Sequence, residues 1–254
     1  QLVQSGAFQL LFSLPAYHTG ATTFGVAFDA ISGSPTVLRE AGLVEAADRF
    51  YAKLGLKVLA MVPTSLPDQV GHLMLRRSID PANGLKGLKI RSTPPMHPMV
   101  TALGGTPVVL APGEVYAALQ KGVVDGAFWA VNGTTDLKWH EVAPYMTRPT
   151  FGSIRLWIYM NRAAWDGLDS AQRDLLQAKA REIELAAESR FARLQRDEET
   201  KLAGLGVQIM RFSDSDAARL PKLWSEGLWQ IAGKSAAAEV ADVRRMARTA
   251  KLAD

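Results

Sequence analysis

The segment from Asp169 to Leu202 limits the possible folds of this chain more than any other. It reads DSAQRDLLQAKAREIELAAESRFARLQRDEETKL, in which strong helix formers dominate, and Gln172 follows Asp169 by three residues as in a capping box. One helix over this segment would be about 50 Å long at about 1.5 Å per residue. A single compact lobe does not need a helix of that length, so we expect it to run across two lobes.

Helix-like and strand-like segments alternate before and after that helix. The apolar spacing of 35–55 is helical, and the short apolar run LKVLAMV that follows is typical of a buried strand. Further strand-like segments are 86–92, 106–110, 123–130 and 206–212, and further helix-like segments are 95–103, 113–122 and two within 214–250. Such alternation predicts an α/β fold with largely parallel strand pairing.

Composition narrows the function classes. The chain has 254 residues, of which 48% are hydrophobic and 21% charged, which is typical of a globular protein and not of a disordered one. No apolar run has the roughly 18 to 20 residues of a membrane-spanning helix. The net charge of +4 is spread along the chain, so we expect no nucleic-acid partner. Cysteine is absent, which excludes disulfides and thiolate chemistry without locating the protein.

Signatures of catalysis are missing from the sequence. His18, His72, His97 and His140 lie far apart, with no spacing typical of metal ligands. There is no nucleophile elbow, and no pair of carboxylates suggests an acid and a base. The sequence therefore predicts no catalytic residues, no metal site and no cofactor.

Three segments in a fixed order resemble a known family. They are GLKGLKIRS at 84–92, GEVYAALQKGVVDG at 113–126 and NRAAWDGL at 161–168. Together they resemble the DctP-type solute receptors of tripartite ATP-independent periplasmic (TRAP) transporters, and the likeness covers nearly the whole chain. The resemblance implies a two-lobed, type II-like periplasmic binding protein that closes over its ligand, with a long helix spanning both lobes.

The resemblance also implies how the lobes divide the sequence. We expect residues 1–68 and 155–205 to form lobe I, and residues 69–154 and 206–254 to form lobe II. Family members carry a strand, a helix and a second strand ahead of the position where this chain starts. SGAFQLLFSLPAY at 5–17 resembles the end of that unit, so we expect the N-terminal β-α-β unit of lobe I to be missing here.

Arg91 is the first candidate ligand-binding residue. It ends a strand-like run, where a guanidinium needs water or an anion as its partner. In the family the arginine of the K-[IL]-R motif clamps the carboxylate of the ligand, and Arg91 is the residue that matches it. The planar arginine fork suits that role because it can donate two parallel hydrogen bonds to a carboxylate. The alternative is an ordinary salt bridge to a carboxylate of the protein.

Two aromatic residues bear on the kind of carboxylate. The resemblance places Trp129 where sialic-acid and dicarboxylate receptors have asparagine and where monocarboxylate receptors have tryptophan, which favours a small, partly apolar acid. Core packing is the alternative for a tryptophan at a strand end. Cation-binding members with that tryptophan carry a glutamate farther on, and Phe151 stands at the matching position here. A ligand bridged by a metal ion is therefore disfavoured.

Four further residues complete the predicted ligand site. Tyr17 matches a family position where a tyrosine faces the cleft, and its hydroxyl group can donate to a carboxylate or a keto oxygen. Gln69 and His72 lie near the positions where relatives place polar ligand contacts. Asn132 is the polar residue nearest to Trp129 along the chain. A surface turn is the alternative for Tyr17.

The sequence thus predicts a periplasmic receptor that delivers a small organic carboxylate to a TRAP membrane permease and performs no chemistry. A monocarboxylate, keto acid or aromatic acid is favoured, and the protein is expected to be a monomer. Two alternatives stay open: an orphan or ABC-type solute-binding protein, and an α/β enzyme that acts on an organic acid.

Overall fold

A computed structural model describes residues 1–66 and 69–253. The chain divides into two compact units: unit 1 comprises Gln1–Pro67, Ser153–Phe191 and Trp229–Asp254, and unit 2 comprises Asp68–Gly152 and Ala192–Leu228. Residues 192–205 lie in unit 2, and residues 153–154 and 229–254 lie in unit 1. Two helices each have residues in both units.

Most strands of the described residues are short, and the two longest are Leu56–Pro63 with 8 residues and Arg155–Asn161 with 7 residues. In chain order they are β1 Leu10–Ser13, β2 Leu56–Pro63, β3 Gly71–Leu75, β4 Lys89–Arg91, β5 Thr106–Val108, β6 Gly126–Ala130, β7 Tyr145–Arg148, β8 Arg155–Asn161 and β9 Gln208–Arg211. The helices are α1 Pro35–Glu40, α2 Leu43–Ala52, α3 His97–Ala102, α4 Val115–Lys121, α5 Arg162–Asp166, α6 Ser170–Gly204, α7 Asp214–Ala232 and α8 Ala237–Thr249.

The prediction of largely parallel pairing was wrong. In unit 1 the strand order is β1-β8-β2, and both pairs are antiparallel. In unit 2 the order is β5-β4-β6-β3-β7-β9, with β3 antiparallel to β6 and β7, while β4–β5, β4–β6 and β7–β9 are parallel. The strands β3, β7 and β8 were not predicted from the sequence, and β3 and β8 are the strands that run antiparallel to their neighbours.

The sheet of unit 1 is covered on both faces. Trp157 and Tyr159 of β8 point to one face, where they stack on each other and contact Tyr51 of α2. The alternate residues of β8 belong to an apolar cluster with Ala180 and Ala187 of α6. Side chains of successive strand residues point to opposite faces, so β8 joins two separate apolar layers.

Asp125 and Gly126 fix the position of β6 between its two neighbouring strands in unit 2. The Asp125 carboxylate accepts the backbone N–H of Lys89 at 2.9 Å, and the Asp125 N–H donates to the Lys89 carbonyl at 2.8 Å. A side chain on Gly126 would lie 2.9 Å from the carbonyl oxygen of Met74. The DG pair therefore lets β6 pack closely between β4 and β3, which sets the neighbours of Arg91 at the end of β4.

The long helix predicted from Asp169 is confirmed as α6, with 35 residues. Its capping box is formed as expected, since Gln172 N–H donates to the Asp169 carboxylate at 2.8 Å and Asp169 N–H donates to the Gln172 side chain at 3.0 Å. Residues up to Phe191 lie in unit 1, and those from Ala192 lie in unit 2. The helix α6 therefore has residues in both units.

Candidate functional site

Arg91 lies at the carboxyl end of β4, between β5 and β6, and is only 3% exposed. Its Nε donates to the Leu110 carbonyl at 3.0 Å, and its NH1 donates to the Phe128 carbonyl at 3.4 Å. These carbonyls come from the segments on the two sides of β4, so they fix the plane of the guanidinium group. The carboxyl ends of neighbouring parallel strands are where open α/β sheets bind ligands.

Trp129, near the end of β6, lies beside that guanidinium group. The Arg91 Cζ is 5.6 Å from the centroid of the indole ring, a distance typical of a cation–π contact. Trp139 meets the same ring edge-on at 5.4 Å. Trp129 is half-buried whereas Trp139 is fully buried, so Trp139 packs in the core and supports an indole that keeps a partly accessible surface.

His72 is Trp129's direct partner across the β3–β6 pair, and it is completely buried. Its Nε2 lies 3.2 Å from the Thr134 hydroxyl oxygen, and its Nδ1 lies 3.4 Å from NH1 of Arg148. Burial, and secondarily the nearby Arg148 charge, lower the pKa of His72 to about 3. The imidazole is therefore neutral at any physiological pH, and both of its nitrogens have partners within the protein.

Phe151 is buried and contributes to an aromatic cluster of unit 2. Its ring centroid lies 5.6 Å from that of Phe128 and 6.0 Å from that of Trp224. Its backbone exchanges two hydrogen bonds of 3.0 Å with Gly71, at the start of β3. A side chain on Gly71 would lie 2.2 Å from the Phe128 ring, so a glycine is needed for this cluster to close.

The remaining predicted residues differ in their exposure. Asn132 is half-buried and lies in the turn after β6, three residues from Trp129. Gln69 is exposed and lies two residues before β3. Tyr17 belongs to unit 1, in the short 3-10 helix Pro15–His18, with 52% of its surface exposed.

The structure thus brings Arg91 and Trp129 into contact and places His72 and Asn132 next to Trp129 in the sheet or along the chain. The sequence did not predict the residues that hold this arrangement together, above all Trp139, Thr134 and Arg148. Nor did it predict the two carbonyl groups that orient the guanidinium group. Backbone carbonyls carry no sequence signal, and a threonine or an arginine in a turn or strand end is too common to single out.

The described contacts of the buried Arg91 guanidinium group include two backbone carbonyls and the Trp129 indole ring. A guanidinium group keeps its charge at all relevant pH values, and burial strengthens its interaction with an anion. Such a group can bind a carboxylate. Within the described residues, no group of three or more histidines and carboxylates could hold a metal ion.

Comparison with known proteins identifies the family. Residues 36–234 match the family described as bacterial extracellular solute-binding protein, family 7 (DctP). The chain belongs to this family. The DctP-type resemblance seen in the sequence is therefore confirmed.

Among named relatives, the C4-dicarboxylate-binding periplasmic protein DctP of Rhodobacter capsulatus is 32% identical over 124 residues, which cover 48% of this chain and 33% of that protein. The ectoine-binding periplasmic protein TeaA of Halomonas elongata is 29% identical over 136 residues, covering 52% of this chain and 38% of that protein. The monocarboxylate 2-oxoacid-binding periplasmic protein of a Nostoc species is 25% identical over 205 residues, covering 79% and 55%. The matched segments therefore cover from a third to about half of the length of these relatives.

Solved structures show the same fold over nearly the whole chain. A TRAP periplasmic solute-binding protein from Desulfovibrio salexigens with bound orotic acid superposes with a TM-score of 0.85 at 20% identity, covering 98% of this chain and 81% of that one. A relative from Rhodoferax ferrireducens with bound malonate gives a TM-score of 0.80 at 20% identity, with coverage of 98% and 80%. The α/β fold of TRAP solute-binding proteins is thereby confirmed. No helix in 1–66 or 69–253 is both long and apolar enough to cross a membrane.

Proposed function

We propose that this chain is the ligand-binding part of an extracytoplasmic TRAP receptor, and that its ligand is a small organic carboxylate. The observation that carries the proposal is Arg91, a buried arginine at the carboxyl end of parallel strands, fixed by two carbonyls and faced by an indole ring. The family to which the chain belongs consists of solute-binding proteins, and this supports a binding function over a catalytic one.

In this proposal the guanidinium group of Arg91 pairs with the carboxylate of the ligand. Its orientation is set before the ligand arrives, because the Leu110 and Phe128 carbonyls hold it in place. A preset orientation reduces the entropy lost on binding. A guanidinium–carboxylate pair also gives directional hydrogen bonds that a lysine ammonium cannot reproduce.

Trp129 would select among carboxylates. An indole wall beside the guanidinium offers apolar surface to the carbon skeleton of an acid, and it offers only one hydrogen-bond donor to hydroxyl groups. Monocarboxylates, 2-oxo acids and aromatic acids fit such a wall better than polyhydroxylated sugar acids do. The Nostoc relative is named a monocarboxylate 2-oxoacid-binding protein and the Desulfovibrio relative holds orotic acid, and both names support this choice.

The other predicted contacts have smaller roles in the proposal. Asn132 would give a polar contact beside Trp129, while Tyr17 and Gln69 are exposed and would donate to the ligand from their own segments. Phe151 would line the site from the aromatic cluster without a polar contact. His72 has both ring nitrogens engaged within unit 2, so its contribution would pass through Trp129 and not through direct contact.

We further infer a place and a partner from the named relatives. Proteins named periplasmic support a location outside the cytoplasmic membrane, and the TRAP fold supports delivery of the ligand to a TRAP permease. Closure of a binding protein is driven by the difference in ligand affinity between open and closed states. A ligand that binds the closed state more tightly than the open state would supply that difference.

A thermal-shift screen tests the proposal. The wild-type chain is heated with monocarboxylates, 2-oxo acids, dicarboxylates, aromatic acids, sugar acids and ectoine, because a ligand that binds only the folded state raises Tm. We expect the largest shifts from monocarboxylates, 2-oxo acids or aromatic acids. The Trp129→Ala variant should lose this preference, whereas Trp129→Phe should keep most of it.

Two results would contradict the proposal at different levels. A shift confined to sugar acids would refute the role of Trp129 and leave the receptor function in place. Turnover of any acid in the panel, followed by NMR of the incubated mixture, would instead favour an enzyme on the same fold.

A further inference from the structure

The turn at 131–135 connects the proposed ligand wall to the long helix. It directly follows β6 and packs against Trp129: Gly133 has a φ of +87°, and a side chain there would lie 3.8 Å from Nε1 of Trp129. The turn also carries Asn132. Whatever fixes this turn therefore fixes one side of the Trp129 indole.

One carboxylate of α6 holds the end of the turn directly. Glu198 is 5% exposed, and one of its oxygens accepts the Thr135 backbone N–H at 2.6 Å while the other accepts the Thr135 hydroxyl at 2.9 Å. Both oxygens of the buried Glu198 carboxylate thus accept hydrogen bonds from Thr135. Hydrogen bonds to a charged acceptor are stronger than neutral ones, so this contact restrains the turn tightly.

The next carboxylate of α6 reaches the same turn through a chain of side chains. Glu199 accepts from NH2 of Arg148 at 2.8 Å, and NH1 of Arg148 lies 3.4 Å from Nδ1 of His72. The Nε2 of His72 lies 3.2 Å from the Thr134 hydroxyl, which in turn donates to the Val131 carbonyl at 3.1 Å.

The donors in this chain follow from the chemistry of its members. An arginine can only donate, so Nδ1 of His72 accepts and its proton is on Nε2, which donates to Thr134. Each hydrogen bond then has one donor and one acceptor without a conflict. The chain keeps this order as long as His72 stays neutral, which its lowered pKa ensures.

We propose that Glu198 and Glu199 of α6 are positioning residues for the ligand, acting through Thr135 and through Arg148–His72–Thr134 on the turn that supports Trp129 and Asn132. The inference rests on the proposed function. It adds that ligand affinity is set partly from the long helix, by groups that do not touch the ligand. Unit 2 contains every residue of this network.

The two routes predict different responses to substitution. Removal of the Glu198 carboxylate leaves the N–H and the hydroxyl of the half-buried Thr135 without this acceptor, so the turn should shift and binding should weaken by about tenfold. Removal of Glu199 leaves the rest of its chain in place, because Arg148 still donates to the Thr147 carbonyl at 2.9 Å. Its effect on binding should be smaller, about threefold by the same reasoning.

The test compares matched variants of the full chain. Thr135→Val removes the hydroxyl donor at nearly constant volume, and Thr135→Ser restores it. Glu198→Ala removes the carboxylate, and Glu198→Gln keeps one acceptor. Glu182→Gln is the control, because Glu182 is on the same helix but pairs with Lys179 at the surface.

Two readouts separate positioning from general damage. Calorimetry gives Kd for the acid that shifts the wild-type Tm most. Fluorine NMR of 5-fluorotryptophan-labelled protein gives the environment of Trp129 without ligand, with its signal among the six tryptophans assigned from Trp129→Phe.

We expect Thr135→Val and Glu198→Ala to shift the Trp129 signal and to weaken binding together, with recovery in Thr135→Ser and partial recovery in Glu198→Gln. A shifted signal with unchanged Kd, or an unchanged signal, would overturn the inference and leave the receptor function standing. If wild-type protein binds no acid of the panel, the proposed function fails at the first step, and this inference fails with it.

Discussion

The long helix α6 uses buried carboxylates in both units, and the two uses differ. In unit 1, Glu184 accepts from Nε and NH2 of Arg39 at 2.8 and 2.9 Å and from the Met61 N–H at 2.6 Å. In unit 2, Glu198 accepts two hydrogen bonds from Thr135. The first carboxylate is tied to α1 and to the middle of a strand, whereas the second is tied to the turn beside Trp129.

Two buried carboxylates of one helix can therefore have different roles. Glu184 neutralises a cation and satisfies a strand N–H, so its removal damages packing and little else. Glu198 satisfies two donors of one turn residue, so its removal changes the position of a turn. Substitutions at the two carboxylates should therefore separate effects on stability from effects on ligand binding.

The largest effect on stability is expected from Glu184→Ala. It leaves Arg39 without its carboxylate and the Met61 N–H without an acceptor, and breaking such a pair costs about 3 to 5 kcal/mol. The lower end applies because the Arg39 side chain is 21% exposed. Urea unfolding should show this loss, while the Kd for the ligand of the folded protein should stay unchanged. A large increase in the Kd of folded Glu184→Ala would show that Glu184, like Glu198, affects ligand binding, and would contradict the difference between the two carboxylates.

One buried titratable group in each unit should make the stability of the fold depend on pH, and the two dependences should have opposite signs. Burial lowers the pKa of His72 in unit 2 to about 3 from 6.5, so the unfolded chain binds more protons in that interval. Stability from His72 is then full above about pH 6.5 and falls as the pH falls, by up to about 1.4 kcal/mol per pH unit.

In unit 1, burial raises the pKa of Asp29 to about 7 from 3.8, against the opposing effect of the Arg155 charge. The folded state holds the extra proton, so the stability from Asp29 is full below about pH 4 and falls as the pH rises through 7. We plot the urea midpoint against pH between pH 4 and 8. Relative to wild type, the slope of this plot should change in opposite directions in His72→Gln and Asp29→Asn. Equal slopes in both variants would contradict this contrast.

The smallest effect is expected at the start of α6. Asp169→Ala removes the side-chain acceptor of the Gln172 N–H, and loss of such a cap costs about 1 kcal/mol. Asp174→Ala on the same helix is the control, because its exposed carboxylate lies beyond the cap. Thermal unfolding should separate the two variants by a few degrees, and equal Tm values would show that the cap does not limit the helix.

The sequence predicted the elements whose signal is local. The helix from Asp169 and its cap were correct because helix propensity and capping depend on neighbouring residues. The segment at 35–55 was predicted as one helix, but the backbone of Gly42, with a φ of +71°, divides it into α1 and α2. Strand pairing was wrong because β8 pairs with β1 and β2, whose residues lie far away in the sequence.

For the candidate site, the motif resemblance pointed to Arg91 and Trp129 separately. Their contact depends on the register of β4 against β6, in which Arg91 is opposite Ala127. That register is set by Asp125 and Gly126, whose contacts appear only in three dimensions. The hydrogen-bond chain through His72 was not predicted for the same reason, since its members come from β3, β7 and α6.

The most direct test of the account is a calorimetric titration of the best acid into wild-type protein, Arg91→Lys and Arg91→Ala, with Arg162→Ala as an exposed arginine control. We expect Arg91→Ala to lose about 3 to 5 kcal/mol of binding free energy, because a buried carboxylate loses its partner. Arg91→Lys should recover only part of this loss, and Arg162→Ala should bind as wild type does. Unchanged affinity in folded Arg91→Ala would contradict the assignment of Arg91 as the carboxylate-binding residue.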